Sequence, residues 1–486
     1  MSLRVDNNGA VLLRTPSGRE RKLPTLRPRW KWVHLGDVTE VVRGASPRPK
    51  GDPRYFGGKI PWIMISDVTR QPGKYLYSTK QGVTEAGAQL SRKLPAGSLI
   101  LSNSGTVCVP KILKVDGCIH DGFVAFPTLE RNVDLDFAFY WFEAVRPRII
   151  DENRQGVTQV NLNTGIVREM PFPFAPRDEQ KAIVAEIEKQ FTRLDAGVAS
   201  LKRVQTALKR YRASVLKAAC EGRLVPTEAE LARKENRSYE TSEELLQRIL
   251  KERREKQDGK NKYKELLSTN IVDLPQLPQR WVYAKVGQLG DVQLGRQRSP
   301  KNVSKDFPTK YIRAANITEH GIDISDVLEM EFNPGERERF ALREDDVVLS
   351  EASGSASQVG KPAIWHNELP LCCFQNTVIR FRPSILDSRY ALVIFRHFYV
   401  NKVFAKIAGG VGINHLGADK FSAIPFPLPP LREQQRIVAE VERRLSMIEE
   451  LETVTSIELQ RATGLRQSIL EQAFKGKLTA RSNILG

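Results

Sequence analysis

One stretch of this chain occurs twice. PFPFAPRDEQKAIVAEIE begins at Pro171 and PFPLPPLREQQRIVAEVE begins at Pro425, a gapless offset of 254 residues. Eleven of the eighteen positions are identical, among them Pro176/Pro430, Glu179/Glu433, Gln180/Gln434 and Ala185/Ala439. The register continues well past the window: Ser214, Leu216, Ala219, Gly222 and Leu224 meet Ser468, Leu470, Ala473, Gly476 and Leu478 at the same offset. Chance similarity does not hold one register so far, so the chain is an internal duplication, and a fold that accounts for one half must account for the other.

Each copy opens with a proline-rich aromatic run, which is extended and stiff, and continues as a long helical pattern. In the first copy Ile187, Leu194, Leu201, Leu208 and Val215 fall seven apart, with Phe191, Val198, Val204 and Tyr211 along the other seam. In the second the sevens are Val441, Ile448, Thr455, Ala462 and Ile469, with Leu445, Leu451 and Leu459 between them. Apolar residues at three-and-four spacing describe a coiled-coil seam. A helix from Glu179 to Lys217 spans about 60 Å, and Gly222 and Gly476 stand where a glycine stop belongs. An amphipathic helix packed on its own domain would share the pattern. Two such helices with one pattern are expected to pack on each other, antiparallel, as a rod that sets a distance.

A chain of 486 residues exceeds one ordinary core, so two to four units are expected. No apolar run reaches the length of a membrane span, and MSLRVDNNGAVLLR lacks the build of a signal peptide. The five cysteines (Cys108, Cys118, Cys220, Cys372 and Cys373) fit neither a disulfide framework nor a zinc site, which points to reduced thiols and a cytoplasmic location. A net charge of +18 favours a polyanionic partner, most simply nucleic acid.

In chain order, residues 1–24 read as a basic, mobile or loosely attached arm. Residues 25–170 form a first globular unit, with strands at IPWIMISDV, in LPAGSLILSNSGTVCVPKILKV and at GFVAFPT, and a short helix at DFAFYWFEAVRPRII. The first proline lead-in and long helix occupy 171–224, and a charged helical connector occupies 225–275. From 276 to 424 the first unit's plan returns: LPQRWVYAKVGQL answers RPRWKWVHLGDV, YIRAANI answers WIMISDV, and GGVGINHLG answers QGVTQVNLN. The second lead-in and helix fill 425–480, leaving a tail at 481–486. The fold class is α+β: two similar mixed α/β units joined by two long antiparallel helices.

No catalytic motif emerges. GSASQVGK, residues 354–361, has five residues between its glycines and Pro362 after its lysine, so it fails as a phosphate loop. HExxH, a dinucleotide fingerprint and (N/D)PP(Y/F) are missing, and no metal site is expected. Recognition chemistry is better represented, in three loop pairs. The first carries Arg43, Ser46, Arg48, Lys50 and Arg54, answered by Arg296, Gln297, Arg298 and Lys301. The second carries Ser102, Ser104, Thr106 and Lys111, answered by Ser350, Ser353, Ser355, Ser357, Gln358 and Lys361. The third carries Gln155, Thr158, Gln159 and Asn161, answered by Asn414 and His415. Arginine addresses guanine edges or phosphate, and Gln and Asn address adenine; the same residue types also belong in solvated turns. Trp30, Trp62, Trp141, Trp281 and Trp365 are expected in cores, and Cys372 and Cys373 in or beside a strand.

The order of globular unit, P-x-x-EQ helix, connector, globular unit and P-x-x-EQ helix resembles the specificity (S) subunit of type I restriction–modification systems. The likeness covers nearly the whole chain from about residue 25, and is supported by the W-x₄-[LV]-G openings at Trp30 and Trp281 and by the GGVGINHLG turn. It implies two target recognition domains that each read half of a split duplex DNA site, held apart by a coiled-coil spacer, with no catalysis in this chain. It implies two methyltransferase (M) subunits with S-adenosylmethionine and two restriction (R) subunits with ATP and Mg²⁺, no cofactor being bound by this chain itself. Phe172, Glu179 and Gln180, with Phe426, Glu433 and Gln434, mark candidate docking segments for the partner subunits. The basic arm is not part of that family pattern. A coiled-coil scaffold that binds nucleic acid without reading a split site is the alternative.

Overall fold

The computed structural model describes residues 2–6, 10–14, 20–152, 162–256, 274–297, 306–353, 358–408 and 414–478. It divides into two compact units: one takes Met1–Lys202 with Ser456–Gly486, the other Arg203–Thr455. Each long helix (Arg177–Cys220 and Leu431–Phe474) begins in the unit whose proline run precedes it and contributes its C-terminal part to the other.

In the first unit, Leu99–Ser102 is the centre of a five-stranded sheet, between Phe123–Ala125 and Pro110–Leu113. A second sheet has Phe56–Ile63 beside Gly117–Ile119, with Trp62 opposite Cys118 in a parallel pair. The expected helix is Leu135–Glu152, and it runs through Pro147. It covers the first sheet with Phe137, Ala138, Trp141 and Phe142, and the core is closed by Ile183, Ile187 and Phe191 of the first long helix and Ile469, Leu470, Ala473 and Phe474 of the second. Phe474 lies 5.1 Å from the rings of both Phe137 and Trp141. The described residues before Leu23 correct the expectation of a loose arm: Ser2–Val5, Val11–Arg14 and Glu20–Lys22 pair as three antiparallel strands. Leu13 and Leu23 are buried, and the Trp32 indole donates to the Pro24 carbonyl at 3.0 Å. A few alternating apolar residues suffice to seat it.

The second unit repeats this plan. Val347–Ser350 is central in a four-stranded sheet, between Val378–Pro383 and Pro362–Ile364, and Pro308–Ile312 runs parallel to Cys373–Phe374, Tyr311 facing Cys373. The helix Ser388–Val400 takes the covering role, and the core is closed by Leu208, Val215, Leu216 and Ala219 with Ile437, Val438 and Val441. The connector belongs here too: Leu245 and Ile249, on the helix Ser242–Lys256, are fully buried in this core.

In both units the proline run is a strand. Pro171–Phe174 pairs antiparallel with Lys31–His34, and Pro425–Leu428 with Val282–Lys285. Both long helices stop at a left-handed glycine, Gly222 (φ 64°) and Gly476 (φ 71°). The following amides reach back, Arg223 to Ala218 at 2.8 Å and Lys477 to Gln472 at 2.9 Å.

The helices pair antiparallel within each unit. Asp195 meets Arg466 at 2.7 Å in the first, and Arg212 meets Glu452 at 2.9 Å in the second. Their apolar seam is narrower than the heptads suggested. Val204, Tyr211 and Leu451, expected within it, are 42%, 45% and 48% exposed, because one partner helix covers only a narrow strip of its neighbour. The five described tryptophans expected in cores are all buried, as are all five cysteines, which are free thiols. No helix of the described residues is long and apolar enough to cross a membrane.

One glycine pair shows how tight the repeated frame is. A Cβ on Gly44 would fall 2.1 Å from the His120 carbonyl, and a Cβ on Gly295 would fall 2.2 Å from the Gln375 carbonyl. Gly295→Ala is expected to destabilise the chain by about 3 kcal/mol, read as a fall in melting temperature. Gly464→Ala, in open space on the second long helix, should leave the melting temperature unchanged or raise it slightly.

Candidate nucleic-acid interface

The start of each long helix carries the same latch. Trp30 Nε1 donates to Glu179 Oε2 at 2.6 Å, and Trp281 Nε1 donates to Glu433 Oε1 at 3.0 Å. Gln180 accepts from the Asp134 amide at 2.7 Å and donates to the Ala175 carbonyl at 2.8 Å. Gln434 accepts from Asp387 at 3.1 Å and donates to Pro429 at 2.9 Å. The residue before each tryptophan is left-handed, Arg29 at φ 73° and Arg280 at φ 72°. This overturns the docking assignment. Phe172, Gln180, Phe426, Glu433 and Gln434 are all buried, and Glu179 is occupied by Trp30 and by Arg29 at 3.3 Å. The EQ signature fastens each helix to its own domain, and of its four residues only Glu179 is half-buried and not fully enclosed.

The copies differ in cover. Over Glu433 lies the connector helix Glu228–Glu235, whose Glu228 amide donates to Glu433 Oε2 at 2.8 Å. Glu228 is itself buried between Arg237 and Arg436, each at 2.6 Å. Burial pushes the Glu433 carboxyl up to about 7, against the pull of the Glu228 amide, Trp281 and Arg436.

Beyond the latch, a set of backbone hydrogen bonds recurs in the loop regions, and seven of its pairs fix the equivalences. Gly44→Phe123, Ala45→Ile119, Asn103→Gly122, Cys108→Ser102, His120→Ile63, Phe123→His120 and Leu162→Asn103 (amide to carbonyl) are matched in the second unit. Their counterparts there are Gly295→Val378, Arg296→Phe374, Glu351→Thr377, Gly360→Ser350, Gln375→Ile312, Val378→Gln375 and Leu416→Glu351. The frame is one frame, and it assigns equivalent positions. Asn103 corresponds to Glu351, His120 to Gln375, Asp121 to Asn376 and Ala45 to Arg296.

Against that frame, the candidate contact residues divide. Ser102 and Ser350 are buried and do the same structural task. Ser102 Oγ donates to the Thr106 carbonyl at 2.5 Å and accepts from Val109, while Ser350 Oγ donates to Gln358 at 2.6 Å and accepts from Lys361. Lys111 is buried, its ammonium held by the carbonyls of Gln71 and Gly73 and its pKa lowered by burial. Arg296 is buried against Glu336 at 2.8 Å and over the Phe332 ring. These four are corrected from contact residues to internal supports. Arg54 is exposed but chelates Asp52.

Arg43, Arg48, Lys50, Thr106, Gln297, Gln358 and His415 are exposed, and Ser46, Ser104 and Lys361 are half-buried. His415 Nδ1 sits 3.1 Å from the buried Glu351 carboxylate, and Asn414 pairs with Ser353 by backbone. Gln155, Thr158, Gln159, Asn161, Arg298, Lys301, Ser355 and Ser357 lie outside the described residues.

The structure brings Arg43, Ser46, Arg48 and Lys50 together around two residues that motif reading passed over, His120 and Asp121. Asp121 Oδ1 accepts from Ser46 Oγ at 2.7 Å and lies 2.9 Å from His120 Nε2. Arg48 stands 3.8 Å from Oδ2, and Arg43 Nε donates to the Asp121 carbonyl. His120 Nδ1 accepts from the Gly122 amide at 2.9 Å, which leaves Nε2–H to donate to Asp121. Burial lowers the His120 pKa, as do Arg48, Lys50 and Arg43, against the opposing carboxylate, so the ring is neutral near pH 7. Burial raises the Asp121 pKa, but Ser46, His120 and the two arginines together bring it below the usual range. Ser46, Arg48, Lys50, His120 and Asp121 edge a cleft of about 720 Å³, walled by Trp62, Phe56 and Met64. Ring contacts run from Phe56 to Trp62 (6.0 Å) and on to His120 (5.9 Å).

A duplicated α/β frame with unlike polar loops on matching positions, and a long helix latched to each copy, defines a tandem recognition scaffold. The chain belongs to the type I restriction modification DNA specificity domain family, whose model matches residues 28–206 and 278–461. It is a type I restriction–modification specificity subunit, a class without catalytic activity of its own. It is 22% identical over 462 residues to the EcoDI specificity subunit of Escherichia coli, covering 93% of this chain and 89% of that one. Identity to the StySPI specificity subunit of Salmonella potsdam is 25% over 465 residues, with the same coverage. Among solved structures, a chain from work on complex assembly and conformational transition of the type I R-M system aligns with a TM-score of 0.59 at 18% identity. That alignment covers 93% of this chain and 99% of the other.

The Glu433 latch has a pH signature. Its folded pKa of about 7 lies above the ordinary carboxylate value of 4.5. Its contribution is therefore fully present below about pH 4.5 and lost as pH rises through 7, a decline of roughly 3 kcal/mol. Urea unfolding across pH 4.5–8 should show this slope in the wild-type chain and a flatter one in Glu433→Gln, whatever the constant offset between them.

Proposed function

We propose that this subunit reads a split, asymmetric duplex DNA site, one half per unit, and that the paired long helices fix the gap between the halves. The carrying observation is the recurrence of one set of backbone hydrogen bonds in two loop regions whose polar side chains differ. A common scaffold conserves how a strand of DNA is approached, while different side chains address different bases. The net charge of +18 supplies the phosphate attraction that such a reader needs.

Family membership further supports recruitment of two methyltransferase subunits, carrying S-adenosylmethionine, and two restriction subunits that use ATP and Mg²⁺. Since five of the six candidate docking side chains are buried, a methyltransferase subunit needs another seat on the helices. Met447, Leu451 and Val454 follow one helical face at four-and-three spacing and are 48–51% exposed, with Tyr211 exposed on the first long helix. This apolar ridge, and not Phe172 or Phe426, is the docking surface we assign to that subunit.

Co-expression with the cognate methyltransferase subunit in a methylation-free host, followed by genome-wide mapping of N6-methyladenine, should yield a two-part motif with a fixed gap. A short continuous motif would contradict reading by both units. Removing one heptad from each long helix shortens the pair by about 10.5 Å, so the required gap should shrink by about three base pairs; an unchanged gap would rule out the helices as the ruler.

A further inference from the structure

Equivalent positions of the duplicated frame carry different hydrogen-bonding groups at one place above all. Where the first unit has His120–Asp121, the second has Gln375–Asn376, fixed as counterparts by Gln375→Ile312 matching His120→Ile63 and by Val378→Gln375 matching Phe123→His120. Both pairs lie immediately after a short buried strand, Gly117–Ile119 in one unit and Cys373–Phe374 in the other. Both are half-buried, so each offers an edge and not a mobile side chain.

Their chemistry is opposed. Every group that meets the Asp121 carboxylate is a donor. Ser46 and His120 occupy Oδ1, and the tautomer set by Gly122 makes the imidazole a donor as well. Oδ2 meets only Arg48, at 3.8 Å, and so retains acceptor capacity. Asp121 is thus an ionised, acceptor-only group held rigidly at the edge of a cleft of about 720 Å³. Cationic Arg43, Arg48 and Lys50 around it let a polyanion approach a carboxylate that would otherwise repel it. At Asn376 only the backbone amide is engaged, donating to Arg296 at 3.0 Å, and the side-chain amide has no partner among the described residues. It presents a donor and an acceptor together.

Resting on the split-site reading above, we propose that positions 121 and 376 are base-reading positions that make the two half-sites unlike. Asp121 accepts from the exocyclic amine of a cytosine. Asn376 addresses the donor–acceptor edge of an adenine. The assignment follows from the major-groove code: a carboxylate can accept from cytosine N4, and a carboxamide can bond adenine N6 and N7 together. His120 and Ser46 are positioning residues, which hold the carboxylate in one orientation.

The test uses the full chain in complex with its methyltransferase subunit. First the wild-type motif is mapped; then binding is measured to a panel of duplexes carrying each base at each position of the site. Asp121→Asn should lower the preference for cytosine at one position of one half-site by about tenfold to a hundredfold, leaving the other half-site and the gap unchanged. Asn376→Asp should do the same to adenine in the other half-site alone. Ser46→Ala, which removes a support but keeps the carboxylate, should retain the cytosine preference.

An unchanged base preference in both variants overturns the proposal, and so does a uniform loss of affinity across the panel. Ser46→Ala reproducing the Asp121→Asn result also overturns it, since Asp121 would then be a loop fastener. If the wild-type complex itself yields no two-part motif, the split-site reading has failed and the residue assignment falls with it; a two-part motif with unmoved variants rejects the residue assignment alone.

Discussion

The hydrogen bond from a tryptophan indole to the first glutamate of a long helix is the constraint on which both halves depend. Trp30 opens the first globular unit and Glu179 opens the helix that leaves it, so the bond joins residues 149 apart in the chain. Trp281 and Glu433 repeat it over 152 residues. A hydrogen bond of this kind contributes about 0.5–1.5 kcal/mol net. Each is reinforced by the strand pair that brings the proline run beside the tryptophan's own strand, and by the glutamine that bridges to the covering helix. The left-handed Arg29 and Arg280 each cost about 1–3 kcal/mol, and their recurrence shows that the turn aiming the indole is worth that strain. The helix therefore departs each domain from a fixed point.

Positive charge is divided between two tasks. Lys111, Arg296 and Arg380 are buried supports within their units. Arg43, Arg48 and Lys50 remain at the surface, and together they surround the one carboxylate of the first unit's cleft. Burial of a cation is tolerated only where it is paired or solvated by carbonyls, as Arg296 is by Glu336 and Lys111 by Gln71 and Gly73. What remains outside can meet phosphate. The internal cations keep the frame constant, and the external ones, with the polar groups they flank, are free to differ between copies.

The duplication, the strand-rich units, the long helices and their glycine stops were legible because they are repeated patterns of spacing. Burial was not. Glu179–Gln180 and Glu433–Gln434 recur, and recurrence alone does not tell a partner-facing residue from an internal fastener. Ser102 and Ser350 look like contact residues until their hydroxyls are seen to bridge their own loops. Arg296 aligns with Ala45, a pairing that only the backbone hydrogen bonds reveal. His120 and Asp121 form no motif with anything near them in sequence; Ser46 arrives from 75 residues away. The N-terminal arm carried too few apolar residues to announce its three strands. Its order comes from the surface formed around Trp32 and Leu23.

The central claim is that one frame carries two independent readers, and a transplant tests it most directly. Replacing residues 276–424 with residues 25–170 keeps both latches and both long helices while installing the first unit's loops twice. Methylation mapping of that chain with its methyltransferase subunit should return a site whose two halves are the same sequence in inverted order, across an unchanged gap. Retention of the original second half-site would contradict the account, because specificity would then reside outside the transplanted loops.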